Sequence, residues 1–99
     1  LLKEAGWASF LKLCNAASFP EELDELLKLF LTPEERNAIG LRVELIIQLL
    51  SGAKTQREIS SELEISISKI TRGSNALKGI SASLREFLVK QFFNQDCPP

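Results

Sequence analysis

Between Thr55 and Lys78 the chain carries two helix-start signals with room for only a tight turn between them. Thr55, followed three residues later by Glu58, forms a capping box. In this motif the hydroxyl accepts the Glu58 amide and the carboxylate accepts the Thr55 amide, satisfying donors that every helix start leaves orphaned. Ile59 and Leu63 then share one face, so a helix is expected near 56–63. After Glu64 and Ile65, Ser66 is placed to cap a second helix, with Ile70 and Leu77 turned inward and Ser68, Lys69, Thr71 and Arg72 outward. Glu64 stands where such turns commonly carry glycine to reach the left-handed region, so a strained or differently shaped turn is expected. This spacing suits a helix-turn-helix, whose second helix offers its N-terminal residues to base edges while the first contacts backbone. Gln56, Arg57, Ser68 and Lys69 are the leading DNA-contact candidates, and Lys54, Ile67, Thr71 and Lys78 complete the set. The alternative is a packed helical hairpin whose polar face is merely solvated.

The flanking segments are also helical in pattern. Leu2 to about Ala17 reads as an amphipathic helix with Trp7, Phe10, Leu11 and Cys14 on one side, Trp7 being an interface or core anchor. Phe19-Pro20 breaks it, and Pro20 suits the first turn of a helix that stops near Phe30, with Glu21, Glu22 and Asp24 near its positive end. Thr32-Pro33-Glu34-Glu35 is another capping box, opening a long helix that ends around Ser51-Gly52. Gly40 inside it costs about 1 kcal/mol relative to alanine, which points to close helix approach there. Gly79 ends the second helix of the reading pair, and Ser83 to Glu86 is expected to cap a last helix bearing Leu84, Phe87, Leu88 and Phe92. No strand pattern or internal repeat interrupts this, so the expected fold is all-α with six helices.

A length of 99 residues bounds the chain to one domain with a limited core, yet 44% of it is apolar. The helices around 23–31 and 43–50 are apolar on more than one face, which calls for burial against a second copy. The expected organisation is a dimerisation core over 1–52, a helix-turn-helix over 54–78 and a C-terminal helix over 83–94 packing back on that core. No apolar run approaches the ~20 residues of a membrane span and no leader pattern is visible, so a soluble, cytoplasmic protein is expected. With no histidine, and Cys14 and Cys97 far apart, neither a zinc site nor a histidine-based catalytic apparatus is expected, and no catalytic cofactor. Cys14 is expected to fill core space and Cys97 to lie in a frayed tail. An enzyme has the least support, because no nucleophile and base pair is visible. The net charge of −1 is unevenly spread: residues 1–40 carry four basic and seven acidic side chains, while 41–99 carry eight and six. The half with the reading signals is therefore the basic half, and local potential is what attracts phosphate.

Two segments, Leu31-Thr-Pro-Glu-Glu-Arg-Asn-Ala-Ile-Gly-Leu-Arg-Val43 and Ile70-Thr-Arg-Gly-Ser-Asn-Ala-Leu-Lys78, resemble the bacterial tryptophan repressor family over roughly residues 23–93. Thr-Arg-Gly-Ser-Asn followed by Leu-Lys is the specific part; Gln-Arg-Glu is shared by many helix-turn-helix proteins. The resemblance implies an intertwined six-helix homodimer that binds L-tryptophan as corepressor, between its core and its reading head, and palindromic operator DNA of tryptophan-related genes. It assigns Arg42 and Arg72 to the two faces of the indole, and Arg72 and Thr32 to the ligand carboxylate. The backbone carbonyls of Leu29 and Leu31 go to the ammonium, and Gly73 is the small residue that lets the indole approach. By residue type alone, Arg42 and Arg72 read more readily as surface charge or as ion-pair partners of Glu35, Glu44 or Glu58 than as ligand-binding groups. The chain departs from the family at Ala76, which removes a hydroxyl acceptor near the ammonium. It departs again at Leu41 and Glu44, where threonine and arginine are associated with phosphate contact. Lys54 and Lys69, in places commonly uncharged, are expected to compensate. The rival functions are a constitutive helix-turn-helix DNA-binding protein indifferent to tryptophan and a small oligomeric interaction module without DNA function.

Overall fold

A computed structural model describes residues Leu2–Phe93. It contains α1 (Leu2–Ala16), α2 (Pro20–Phe30), α3 (Pro33–Ser51), α4 (Gln56–Leu63), α5 (Ile67–Lys78) and α6 (Ala82–Phe93), with no strand among the described residues. The all-α expectation and its six helices are met. Position 94 of the expected last helix, and Cys97, lie outside the described residues. No helix among those described is long and apolar enough to cross a membrane. The chain divides into two compact units, Leu1–Ala38 and Ile39–Pro99, with the boundary inside α3.

In the first unit, α1 gives way to α2 at Phe19, the extended residue before Pro20, whose missing amide costs nothing at a helix start. No side chain caps from Phe19 itself. Instead Glu22 reaches back, accepting the Ser18 amide at 2.7 Å. Phe10 ties α1 to α2 through an edge-on contact with Phe30, ring centres 5.8 Å apart, and stacks obliquely on Trp7 at 5.5 Å. Trp7 is nonetheless 62% exposed, and Cys14 is half-buried. The second capping box forms as expected: Thr32 Oγ1 accepts the Glu35 amide at 3.1 Å and the Thr32 amide donates to Glu35 Oε1 at 2.8 Å.

The second unit contains the buried core. Leu45 of α3, Ile59 of α4 and Ile70 of α5 pack together, with Leu49, Leu63 and Ile65 around them. Ile59 and Ile70 are the inward residues of the two short helices, as the spacing predicts, and Leu77 is buried further along α5. Gly52, at φ 67, supplies the left-handed residue that closes α3. Thr55 then accepts the Glu58 amide at 3.1 Å and donates its own to Glu58 Oε1 at 2.8 Å, and Ser66 accepts the Lys69 amide at 3.2 Å. Between them Glu64 does take the left-handed conformation, φ 56 and ψ 46, at a cost of about 1–2 kcal/mol for a residue with a Cβ. Ser60 holds that turn from both sides: its carbonyl accepts the Glu64 and Ile65 amides, and its hydroxyl donates to the Ile65 carbonyl at 2.6 Å.

One expectation is corrected. The last helix is capped by Ser81, whose hydroxyl accepts the Leu84 amide at 3.1 Å, and Ser83 lies inside its first turn. The reason is Arg85. Its amide donates to the Ser81 carbonyl at 3.0 Å and its guanidinium to the Leu77 carbonyl at 2.9 Å, which sets the register two residues earlier. Within this chain a Cβ on Gly40 would meet nothing within 4 Å, which leaves that face of α3 open. Gly79 does close α5, but with φ −91, where no glycine is required.

Candidate functional site

The short helices α4 and α5 pack on each other through apolar side chains and leave their polar faces open. Gln56 and Arg57 in the first turn of α4 are exposed, as are Ser68, Lys69, Thr71 and Arg72 on α5 and Lys78 in its last turn. Ile67, the first residue of α5, is 47% exposed, an apolar side chain standing at a helix N-terminus among polar ones. Some of these groups are already engaged. Thr71 donates its hydroxyl proton back to the Ile67 carbonyl at 3.0 Å, which leaves its oxygen lone pairs outward as acceptors. The Ser68 hydroxyl lies 3.2 Å from that of the capping Ser66. Lys54, just before α4, is ion-paired with Glu62.

Glu58 titrates below the ordinary glutamate range. The Thr55 amide contributes most, then the Thr55 hydroxyl; desolvation opposes them, and Lys54 adds a lesser attraction. The carboxylate is therefore a structural acceptor committed to the helix start.

The arginines sit at a helix crossing. A Cβ on Gly73 would fall 2.8 Å from Leu45 Cδ2, so the backbone of α5 packs tightly on this α3 side chain. Arg72 is the neighbour of Gly73, and Arg42 precedes Leu45 by just under one helical turn. Both arginines are exposed, and among the described residues neither forms an ion pair. The alternative pairing with Glu35, Glu44 or Glu58 is thus not made; Glu35 and Glu58 are instead held by their own caps. Gly73 has a structural reason to be small, the contact with Leu45, beyond the one read from the sequence.

The remaining ligand candidates lie in the first unit, at the turn from α2 into α3. Leu29 is 75% exposed. Its carbonyl lacks the usual helical donor, because the residue four positions on is Pro33, which has no amide hydrogen, and the Thr32 amide is taken by Glu35. The Leu31 carbonyl accepts Arg36 Nη1 at 2.8 Å and keeps a second lone pair. The Thr32 hydroxyl accepts a helix amide and retains its proton to donate. The orphaned Leu29 carbonyl has a sequence signal, a proline four residues downstream. Glu62, Gln48 and Arg85 were missed because their partners lie across turns, where no local spacing marks them.

Six helices, with two short ones joined through a three-residue turn and presenting open polar faces, define a small all-helical protein with a surface suited to recognition. The Trp repressor protein family matches residues 5–92, and the chain belongs to that family of transcriptional repressors. It is 45% identical over 89 residues to a Trp operon repressor homolog of Chlamydia trachomatis serovar D, an alignment that spans 90% of this chain and 95% of the relative. Homologs of the same description from Chlamydia caviae and Mannheimia succiniciproducens are 45% and 43% identical, over 86% and 85% of this chain and 84% and 83% of their own lengths.

Proposed function

We propose that the chain is an L-tryptophan-activated repressor that binds palindromic operator DNA of tryptophan-related genes as a homodimer. The observation that carries this reading is the pair of exposed arginines, Arg42 and Arg72, flanking the Leu45–Gly73 crossing without an ion-pair partner among the described residues. Tryptophan supplies a flat indole, an ammonium and a carboxylate. Planar guanidinium groups are suited to stack on the indole faces, at about 0.5–2 kcal/mol each depending on desolvation, a geometry lysine does not reproduce. Arg72 and the spare proton of Thr32 serve the carboxylate, and the Leu29 and Leu31 carbonyls, each with acceptor capacity left over, serve the ammonium. Chemically the donor set fits the ligand, and Ala76 removes one acceptor from it.

In this mechanism α4 and α5 act as the helix-turn-helix, with Lys54, Gln56, Arg57, Ile67, Ser68, Lys69, Thr71 and Lys78 facing DNA. Half-sites one turn apart need recognition helices about 34–36 Å apart, a spacing taken from helix-turn-helix dimers, the tryptophan repressor among them. Tryptophan held between Arg42 and Arg72 favours the arrangement of α5 against α3 that meets this spacing, so ligand and DNA select the same state and each tightens the other by the same factor. A coupling of about 1–3 kcal/mol is typical of such linkage.

The test is a titration of tryptophan-operon promoter DNA with and without L-tryptophan, alongside calorimetry of tryptophan on the wild type and Arg72→Ala. Tighter DNA binding with tryptophan, and loss of both affinities in the variant, are expected. Equal DNA affinity with and without the amino acid would leave a constitutive DNA binder, and undiminished tryptophan binding by Arg72→Ala would remove that residue from the ligand.

A further inference from the structure

The Glu62 carboxylate on α4 has two partners. One oxygen takes Lys54 Nζ, and the other lies 3.5 Å from Gln48 Nε2 in the last turn of α3. This side chain therefore ties the end of α3 and the connection after it to the last turn of α4. Lys54 is also close enough to Glu58 to help keep it ionised. Along α4 and the residue pair before it, Lys54 and Arg57 are matched in number by Glu58 and Glu62. The positive charge that the sequence places beside the reading helices is thus locally cancelled.

We infer that Glu62 competes with DNA phosphate for Lys54, and so holds down the DNA affinity of this protein and flattens its salt dependence. The inference rests on the DNA-binding reading above. Exposed ion pairs are weak, so a phosphate can take Lys54 away from Glu62. The displaced carboxylate stays on α4, however, and repels a phosphate lying within the Debye length, ~10 Å at 0.1 M salt. The counterions that Lys54 would release from DNA are then largely not released. Glu58 cannot take over this role, because its carboxylate is bound to the Thr55 amide.

The experiment compares wild type and Glu62→Gln for binding a labelled DNA duplex of mixed sequence across a salt series. Glutamine keeps the size of the side chain and can still meet Gln48. One added phosphate contact makes the slope of log affinity on log salt steeper by about 0.9, so a variant that binds about tenfold tighter at about 50 mM salt should bind about threefold tighter at about 200 mM. Lys54→Ala should cancel this gain in the Glu62→Gln background and change little in the wild type. A variant that binds more weakly, or with an unchanged slope, would make Glu62 a structural tie only and overturn the inference. Absence of salt-dependent binding by both proteins would overturn the DNA-binding reading, and this inference with it.

Discussion

Glu58 shows how much one side chain at a helix start can carry. Its carboxylate accepts the Thr55 amide while its own amide is capped by the Thr55 hydroxyl; the Thr55 amide foremost, and then the Thr55 hydroxyl beside the carboxylate, draw its pKa below the ordinary range. A carboxyl more acidic in the folded than in the unfolded chain contributes stability that is complete above the unfolded value. That contribution is lost as pH falls through the folded value, because the unfolded chain then binds the proton more readily. Glutamine at this position still offers an oxygen to the Thr55 amide but has no proton to gain. The melting-temperature difference between wild type and Glu58→Gln should therefore be largest near neutrality and shrink on acidification below the normal glutamate range. A difference that stays constant with pH would mean that the charge of Glu58 has no part in the cap. The cap itself was legible in the sequence because donor and acceptor are three residues apart and need nothing from the rest of the fold.

Among the elements, the caps at Thr32, Thr55 and Ser66 could be read from the chain, whereas the start of α6 could not. Ser83 and Glu86 match the capping pattern, but Arg85 reaches the last turn of α5 and fixes the helix on Ser81 instead. A tertiary contact overrode a local motif. The same distinction applies to Gly73, whose place in a specific motif was visible while its contact with Leu45 was not. Substituting alanine there sets about 1 kcal/mol of gained helix propensity against overpacking on a buried leucine, which typically costs about 1–3 kcal/mol. Gly73→Ala should be net destabilising by about 1 kcal/mol in chemical denaturation. In a Leu45→Ala background, itself costing about 2–5 kcal/mol, the clash is absent and the propensity gain remains, so the sign should invert. Additive effects of the two substitutions would mean that α3 and α5 do not meet at this pair.

On the scale of the molecule, the distribution of burial bears on assembly. The buried apolar residues, Leu45, Ile59, Ile70 and Leu77, all belong to the second unit, and no described residue of the first unit is buried. Trp7, Leu11, Leu13, Phe19, Leu29 and Phe30 of the first unit are all at least 45% exposed. Apolar side chains left this exposed contribute little against the entropy of ordering the helices that carry them, about 1–2 kcal/mol for each residue's backbone. A second copy is the covering that the sequence anticipates from helices apolar on more than one face, and on that reading folding of the first unit is inseparable from association. The midpoint of thermal unfolding should then rise with protein concentration, as mass action requires when folded chains exist only in pairs. Emission from Trp7, the single tryptophan of the chain, should shift to the red in the same transition on dilution. A concentration-independent midpoint, with sedimentation at the mass of one chain, would mean that the first unit is stable with its apolar side chains in water.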